Sequence, residues 1–178
     1  MHIFYTWKKQ NSTQFLNELL NKYFHITDYI IQKTTLGKKY IVLSNDKKPL
    51  EFSITHSKNF LAIAFHTCAV GIDSECIRAK YPESIFKKMS IAEQEECKTS
   101  YDFFKNWTAK ESFVKLKGQS ILDEFKALNY TKNRLTYSGK VVPCQIYFKE
   151  LRYENDVYIL AICTERKVDK IYFEEIKL

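Results

Sequence analysis

Two acidic residues follow a short apolar run in the stretch AVGIDSE, at Asp73 and Glu75. Residues two positions apart point to the same side of an extended chain, so these two carboxylates are expected to face one way. Carboxylates held on one side repel each other unless a cation lies between them. A solvated polar turn contains the same residue types, so the pair alone leaves both interpretations open.

A second charged pair lies in the stretch WTAKESFVK, where Glu111 and Lys115 are four positions apart. On a helix this spacing places both side chains on one face, in the order that favours an ion pair. Surface ion pairs of this kind are common and contribute only about 0.3–0.5 kcal/mol. Here, however, Trp107 and Val114 fall at spacings that predict a largely buried helix, which would place Glu111 beside apolar side chains.

A third polar group, Thr55 and His56, ends the apolar run LEFSIT, with Lys48 a few residues earlier. A hydroxyl, an imidazole and an ammonium group can together hold phosphate oxygens through charge-assisted hydrogen bonds. A histidine at the end of a strand is also an ordinary loop or core residue. This group therefore has a structural interpretation beside the functional one.

Taken together, these residues predict a magnesium-dependent site that acts on a phosphate. Mg²⁺ prefers a few carboxylates, waters and substrate phosphate oxygens in an octahedral shell. Asp73, Glu75 and Glu111 could supply the carboxylates from one strand end and one helix. Lys115, one turn after Glu111, could neutralise or protonate a departing phosphate. The residues by themselves lead to phosphoryl or phosphodiester transfer and no further.

The elements expected to position these residues are an early helix, short strands, a helical block and further strands. An apolar stripe predicts the first helix, capped by Asn11 or Ser12, and Gly71 is expected to allow a close backbone approach. A capping-box pattern at Ser90 begins the helical block, which ends at Gly118. This order predicts an α+β fold.

The similar runs LAIAFHT and LAICT indicate two similar α+β halves, which we place at residues 1–68 and 69–178. The second half would carry the metal and catalytic residues. The boundary lies at the run AVGID, between the polar group at His56 and the acids that follow.

The composition limits the classes of partner. The net charge of +7 favours an acidic partner, but the lysine pairs are scattered, so no basic face for nucleic acid is visible. No apolar stretch approaches 18 residues and the start lacks the order of a secretory signal, so we expect neither a membrane span nor export. The five cysteines are never spaced as CxxC, which predicts reduced thiols in a cytoplasmic protein.

The charged stretches resemble the two signature motifs of the 4′-phosphopantetheinyl transferases. VGIDSE is similar to the family pattern [VI]-G-[IV]-D-x-[ED], and WTAKESFVK is similar to W-[STAC]-x-K-E-[AS]-x-x-K. KKPLEFSITHS is similar to the family's Gly-Lys-Pro and Phe-Asn-x-Ser-His-Ser segments. It departs from them at Lys47, Ser53 and Thr55, where the family has Gly, Asn and Ser. The likeness runs from about residue 45 to 118.

The resemblance implies that coenzyme A donates its phosphopantetheine arm to a serine of an apo acyl, peptidyl or polyketide carrier protein, releasing 3′,5′-ADP. It implies that Asp73, Glu75 and Glu111 bind Mg²⁺, with Mn²⁺ as a second candidate. Glu111 would be the base that deprotonates the serine, directly or through a water. Lys115 would stabilise or protonate the departing phosphate.

The resemblance also implies that Lys48, Thr55, His56 and Lys110 contact coenzyme A, with His56 near the 3′-phosphate. It further implies the single-chain, surfactin-synthetase-associated architecture, in which two halves related by a pseudo-two-fold axis enclose the site. We expect such a chain to be a monomer. An acidic carrier protein would be drawn to exposed lysines.

Rival interpretations predict different behaviour. A non-catalytic module that binds coenzyme A or a carrier protein would be expected to have a damaged motif, whereas the acids and the lysine are all present here. A magnesium-dependent nuclease could use the same carboxylates, but the E-x-K pattern typical of such enzymes is absent around Glu111. The transferase is therefore the function that the sequence favours.

Overall fold

A computed structural model describes residues 1–8, 10–43, 49–118 and 125–177. Within these residues the chain forms, in order, β1 (His2–Thr6), α1 (Ser12–Phe24), β2 (Tyr29–Lys33), β3 (Lys39–Leu43), β4 (Leu50–Ser57), β5 (Phe60–His66), β6 (Val70–Cys76), α2 (Glu83–Phe86), α3 (Ile91–Glu96), α4 (Ser100–Lys117), β7 (Leu128–Thr131), β8 (Arg134–Tyr137), β9 (Lys140–Val141), β10 (Gln145–Tyr153), β11 (Asp156–Thr164) and β12 (Tyr172–Glu175). This is an α+β fold, as predicted. None of the helices in the described ranges has the length and apolar character needed to cross a bilayer.

The larger sheet has six strands in the order β12-β1-β5-β4-β3-β2, and α1 packs on one of its faces. The helix forms where the apolar stripe predicts it, and its buried residues include Phe15 and Leu19. The Asn11 side chain caps it by accepting hydrogen bonds from two backbone N–H groups of the first turn, at 2.8 and 3.2 Å. β4 and β5 form an antiparallel hairpin within this sheet.

A second sheet, with the order β10-β11-β6, carries α4 on one face. The helix lies so close to β6 that a Cβ atom at Gly71 would be 2.0 Å from the Ser112 carbonyl oxygen and 2.4 Å from the Leu116 nitrogen. Only glycine fits there, which confirms the predicted close approach. Thr99 caps the helix with a capping box, and Gly118 ends it in the left-handed conformation that favours glycine.

The two sheets are joined by side chains rather than by a backbone ladder. Hydroxyl groups on every second residue of β4 accept hydrogen bonds from the backbone N–H groups of every second residue of β6. The donor–acceptor pairs are Ile72 N to Ser53 Oγ at 3.1 Å, Ser74 N to Thr55 Oγ1 at 2.9 Å and Cys76 N to Ser57 Oγ at 2.8 Å. These bonds fix the register of β4 against β6 along the segment that carries both acids of the DSE stretch.

Some features were not anticipated from the pattern. The strand β1 and the short helix α2 were missed, and the region after α4 begins with a separate three-stranded sheet, β7-β8-β9. β12 pairs in parallel with β1, so a strand from beyond residue 69 completes the first sheet. The similar runs LAIAFHT and LAICT lie on β5 and β11, each between two neighbours in its own sheet.

Candidate active site

Asp73 lies on β6 and is buried where that strand faces both β4 and α4. Its Oδ1 atom is 2.7 Å from Lys115 Nζ and accepts a longer hydrogen bond, 3.4 Å, from Thr55 Oγ1. Burial raises the pKa of Asp73, and the nearby Lys115 and Thr55 offset only part of that increase. The carboxylate therefore favours a cationic partner, which in this structure is the Lys115 ammonium.

Glu75, two residues further along the same strand, is half-buried. It accepts a hydrogen bond from Ser57 Oγ at 3.2 Å, and Arg78 Nη2 lies 3.5 Å from the same oxygen. Burial raises its pKa, repulsion by Asp73 raises it further, and Arg78 opposes both effects. The mutual repulsion of the two acids, expected from their spacing, is thus present.

Glu111 reaches the same group of charges from α4. Burial raises its pKa to about 7; repulsion by Asp73 and Glu75 adds to the increase, and Lys115 opposes it. No hydrogen bond or ion pair to the Glu111 carboxylate is formed by any other described residue. A half-buried carboxylate with a pKa near neutral pH and no fixed partner has the properties of a general base.

Lys115 completes the group, with its ammonium between Asp73 and the Ile54 carbonyl oxygen, which is 3.4 Å away. The structure therefore brings together four residues that the sequence placed in one site: Asp73, Glu75, Glu111 and Lys115. They come from one strand and one helix, as expected. Their closeness follows from the tight packing of α4 on β6.

The carboxylate oxygens of these residues suit a hard divalent cation, although the three side chains are not arranged around one position. Within the described residues, no group of three or more His, Cys, Asp or Glu side chains is arranged so that it could hold a metal ion. The position beside Asp73 is taken by Lys115. Yet burial and repulsion raise the pKa of Asp73, Glu75 and Glu111 alike, and a divalent cation bound by carboxylate oxygens would relieve both effects.

A cavity of about 290 Å³ opens next to Lys115. It is lined by Gly37, Lys38, Lys39, Phe52, Ser53, Ile54, Lys115 and Gly118. Lys38 Nζ donates to the Phe52 carbonyl oxygen at 3.1 Å and also to that of Val70. Burial lowers the pKa of Lys38 to about 8, an effect that Glu51 opposes.

The turn at Gly37 and Lys38 was missed by the sequence reasoning. Gly118 has a φ of +75°, and a Cβ atom there would lie 2.3 Å from the Lys38 nitrogen, so the end of α4 meets this turn closely. The available signal was the Gly-Lys pair between two predicted strands. The family's Gly-Lys-Pro segment had instead been matched to the stretch that contains Lys48.

A second cavity, of about 650 Å³, lies on the Glu75 side of the carboxylates. Its lining includes Ser57, Lys58, Arg78 and Asp156. Two members of the charged group therefore border cavities: Lys115 borders the first and Glu75 borders the second. A substrate with two distinct ends could occupy both.

The predicted coenzyme A contacts have mixed outcomes. Thr55 is a correction: its hydroxyl is buried and bonded to Ser74 and Asp73, so it orients the acid and does not face a ligand. His56, the next residue on β4, is exposed on the opposite side of the strand. Lys48 lies outside the described residues.

Lys110 is a second correction. Its ammonium is buried, 3.0 and 3.2 Å from the two carboxylate oxygens of Glu93, and lies 3.9 Å from the ring centroid of Phe125. It therefore cannot reach a phosphate without breaking a buried ion pair. The helix α4 is buried on most sides, and Lys110 points away from the face that carries Glu111 and Lys115.

Residues 69–163, more than half of the chain, match the model of the 4′-phosphopantetheinyl transferase superfamily. No curated protein matches the chain significantly. The matched residues include β6 and α4 and hence all four charged residues of the site. With these residues brought together by β6 and α4, the chain belongs to the 4′-phosphopantetheinyl transferase superfamily.

Proposed function

We propose that this protein transfers 4′-phosphopantetheine from coenzyme A to a serine of an apo carrier protein and releases 3′,5′-ADP. The observation that carries the proposal is the group of three carboxylates and Lys115, in which Lys115 borders one cavity and Glu75 borders another. Family membership supplies the general activity; the acceptor and the metal requirement are our inference.

In this proposal Asp73, Glu75 and Glu111 hold Mg²⁺ or Mn²⁺, which when bound polarises the pyrophosphate of coenzyme A. Glu111 would accept the proton of the acceptor serine, directly or through a water. A bond forms between the serine oxygen and phosphorus as the bond to the 3′,5′-ADP oxygen breaks. Lys115 releases Asp73 and neutralises the departing phosphate.

The cavity beside Lys115 is our candidate for the nucleotide part of coenzyme A. Lys39 and Lys115 line it, so a phosphate entering it meets positive charge. His56 lies on the same face of β4 as Ile54, which also lines the cavity. We therefore retain His56 as a 3′-phosphate contact and add Lys39; Lys48 remains a prediction.

The acceptor would approach from the Glu75 side, where the second cavity is bordered by Lys58 and Arg78. Lys87 and Lys88 are exposed on the same half of the chain and would attract an acidic carrier protein. We further propose two halves related by a pseudo-two-fold axis, with the site between them, in a monomer. All five cysteines are free, which supports a cytoplasmic location.

The decisive experiment is intact-mass spectrometry of several apo carrier proteins incubated with this protein, coenzyme A and Mg²⁺. Transfer adds about 340 Da to the carrier, and EDTA abolishes the gain. Glu111→Gln keeps the side-chain shape but removes the base, so the rate should fall by about 10²–10³-fold. The matched control is Glu95→Gln, an exposed residue on α3, which should transfer normally.

A near-normal rate for Glu111→Gln would contradict the mechanism. Failure of the native protein with every carrier type, together with retained binding of coenzyme A, would favour the non-catalytic binding module. Folding of each variant is checked by circular dichroism, so a loss of structure is not mistaken for a loss of chemistry.

A further inference from the structure

Two cysteines outside the candidate active site lie at one end of the β10–β11 hairpin. Cys163 on β11 is directly opposite Ile146 of β10. Cys144 lies immediately before β10, which begins at Gln145. Both cysteines belong to the apolar cluster that Phe113 and Leu128 also form. The two thiols therefore pack in one cluster at this end of the β10–β11 hairpin.

The two thiols differ in their access to solvent. Cys144 is half-buried and lines a cavity of about 270 Å³, together with Lys117, Glu165 and Arg166. Cys163 lies behind it and is fully buried. A small molecule that enters the cavity can therefore reach Cys144, whereas Cys163 is shielded from solvent.

The two thiols are chemically different. The neighbouring Cys163 thiol lowers the pKa of Cys144; burial opposes this effect and Lys117 assists it. Cys144 and burial together raise the pKa of Cys163. Cys144 is thus the better nucleophile, since the thiolate is the reactive form.

We propose that Cys144 and Cys163 form a redox-active dithiol site that small disulfides oxidise to an intramolecular disulfide. In the first step the Cys144 sulfur attacks one sulfur of the small disulfide, forming a mixed disulfide and releasing one small thiol. In the second step the Cys163 sulfur attacks Cys144, forming the protein disulfide and releasing the second small thiol. Two protein thiols are oxidised and one disulfide is reduced to two thiols, so electrons and protons balance.

The other cysteines provide an internal comparison. Cys68 is exposed in the turn after β5, where its backbone N–H donates to His66 Nδ1. As an exposed thiol that does not belong to the cluster of Cys144 and Cys163, it should form a mixed disulfide that persists. Cys76 and Cys97 are buried, and burial raises the pKa of both, to about 11 for Cys97. They should react slowly.

The test is to treat the reduced native protein with oxidised glutathione and to follow intact mass and disulfide-linked peptides. We expect a loss of about 2 Da from a linkage between Cys144 and Cys163. Cys68 should separately gain about 305 Da as a glutathione adduct. Cys68→Ser removes the adduct and leaves the linkage, so it isolates the dithiol reaction.

Two further variants separate the steps. Cys163→Ser removes the resolving thiol, so the adduct of about 305 Da should remain trapped on Cys144. Cys144→Ser should leave Cys163 unreacted. The proposal is wrong if the native protein carries adducts at both positions with no linked peptide. It is also wrong if Cys144 reacts more slowly than Cys68 and no linkage forms. Neither result depends on transferase activity, and the peptide map of the native protein decides even if a variant misfolds.

Discussion

Helix α4 presents two lysines to two carboxylates, and the surroundings of the two ion pairs differ. The Lys110–Glu93 pair is 1% exposed on each side. Glu93 also accepts hydrogen bonds from Tyr130 N at 2.8 Å and from Ser90 N at 3.0 Å, so both of its oxygens are occupied. This pair ties α4 to α3 and β7.

The Lys115–Asp73 pair is open by comparison, with side chains 32% and 11% exposed. Its Asp73 oxygen receives one short contact, from the lysine, and one long hydrogen bond, from Thr55. A cavity borders the lysine. A buried charge pair with every group satisfied holds helices together, whereas a partly solvated pair with spare acceptor positions can exchange its partner for a ligand. The same residue types therefore serve structure at Lys110 and, in our proposal, chemistry at Lys115.

The largest expected effect comes from breaking the buried Lys110–Glu93 pair. Lys110→Met leaves Glu93 charged and buried without a counter-charge, and should cost about 3–5 kcal/mol of unfolding free energy in a urea titration. Adding Glu93→Gln should restore part of the loss, because the stranded charge is removed. Lys98→Met, at an exposed position, should change little. A loss below about 1 kcal/mol for Lys110→Met would show that the pair is not what fixes α4.

Breaking the partly solvated Lys115–Asp73 pair should instead lower the rate of the transfer reaction. Lys115→Ala removes the group that neutralises the departing phosphate, so kcat should fall by about 10²-fold, with a smaller loss of stability than Lys110→Met causes because this pair is partly solvated. Lys117→Ala is the matched control, since this lysine lies on the same helix in an exposed pair with Glu165. Equal losses of activity in both variants would remove the distinction between the two lysines.

A smaller effect concerns the proton on Glu111. Its folded-state pKa is about 7, above the ordinary 4.5, so folding favours the protonated form. Without divalent cations, the stability that Glu111 contributes should therefore fall as pH rises from about 4.5 to about 7. Glu111→Gln should raise the unfolding free energy by about 1–2 kcal/mol at pH 8, and by nothing at pH 4.5. A destabilised variant at pH 8 would contradict this sign.

The smallest effect concerns the hydrogen bonds from backbone N–H groups of β6 to hydroxyl groups of β4. It separates the orientation of Asp73 from the packing of the two strands. Thr55→Val and Ser53→Ala each remove one acceptor of a β6 backbone N–H, so each should cost about 1 kcal/mol by thermal unfolding. Only Thr55 also bonds to Asp73, so kcat should fall in that variant alone. If Ser53→Ala lowers kcat equally, the bond to Asp73 has no specific role.

Many of the helix ends and close contacts around the site were predictable, because the local preferences of single residues agree with the fold. The cap at Asn11, the capping box at Ser90, the end of α4 at Gly118 and the tight contact at Gly71 all follow from residue type. The proximity of Asp73, Glu75, Glu111 and Lys115 could also be anticipated, since strand alternation and helix spacing determine which side chains share a face; their roles in a site stay a prediction.

The direction in which individual side chains point was not predictable from the sequence. Because α4 is buried on most sides, its apolar pattern does not reveal that Lys110 turns toward Glu93, which is remote in sequence. Thr55 was expected to meet a ligand, yet the β4–β6 contact that buries it is formed by side chains and leaves no periodic signal. The turn at Lys38 lies near the site because it contacts the end of α4. The sequence pattern does not reveal a tertiary contact of this kind.

The pairing of β1 with β12 has a consequence for the order of folding. His2 aligns with Tyr172, so the whole second sheet and α4 lie between these two paired strands in the sequence. Contacts between such distant residues form late and slow the folding of a domain. During synthesis, the edge of β1 that pairs with β12 would therefore stay unpaired until residues 172–175 have been made, and an unpaired strand edge of this kind favours misassociation.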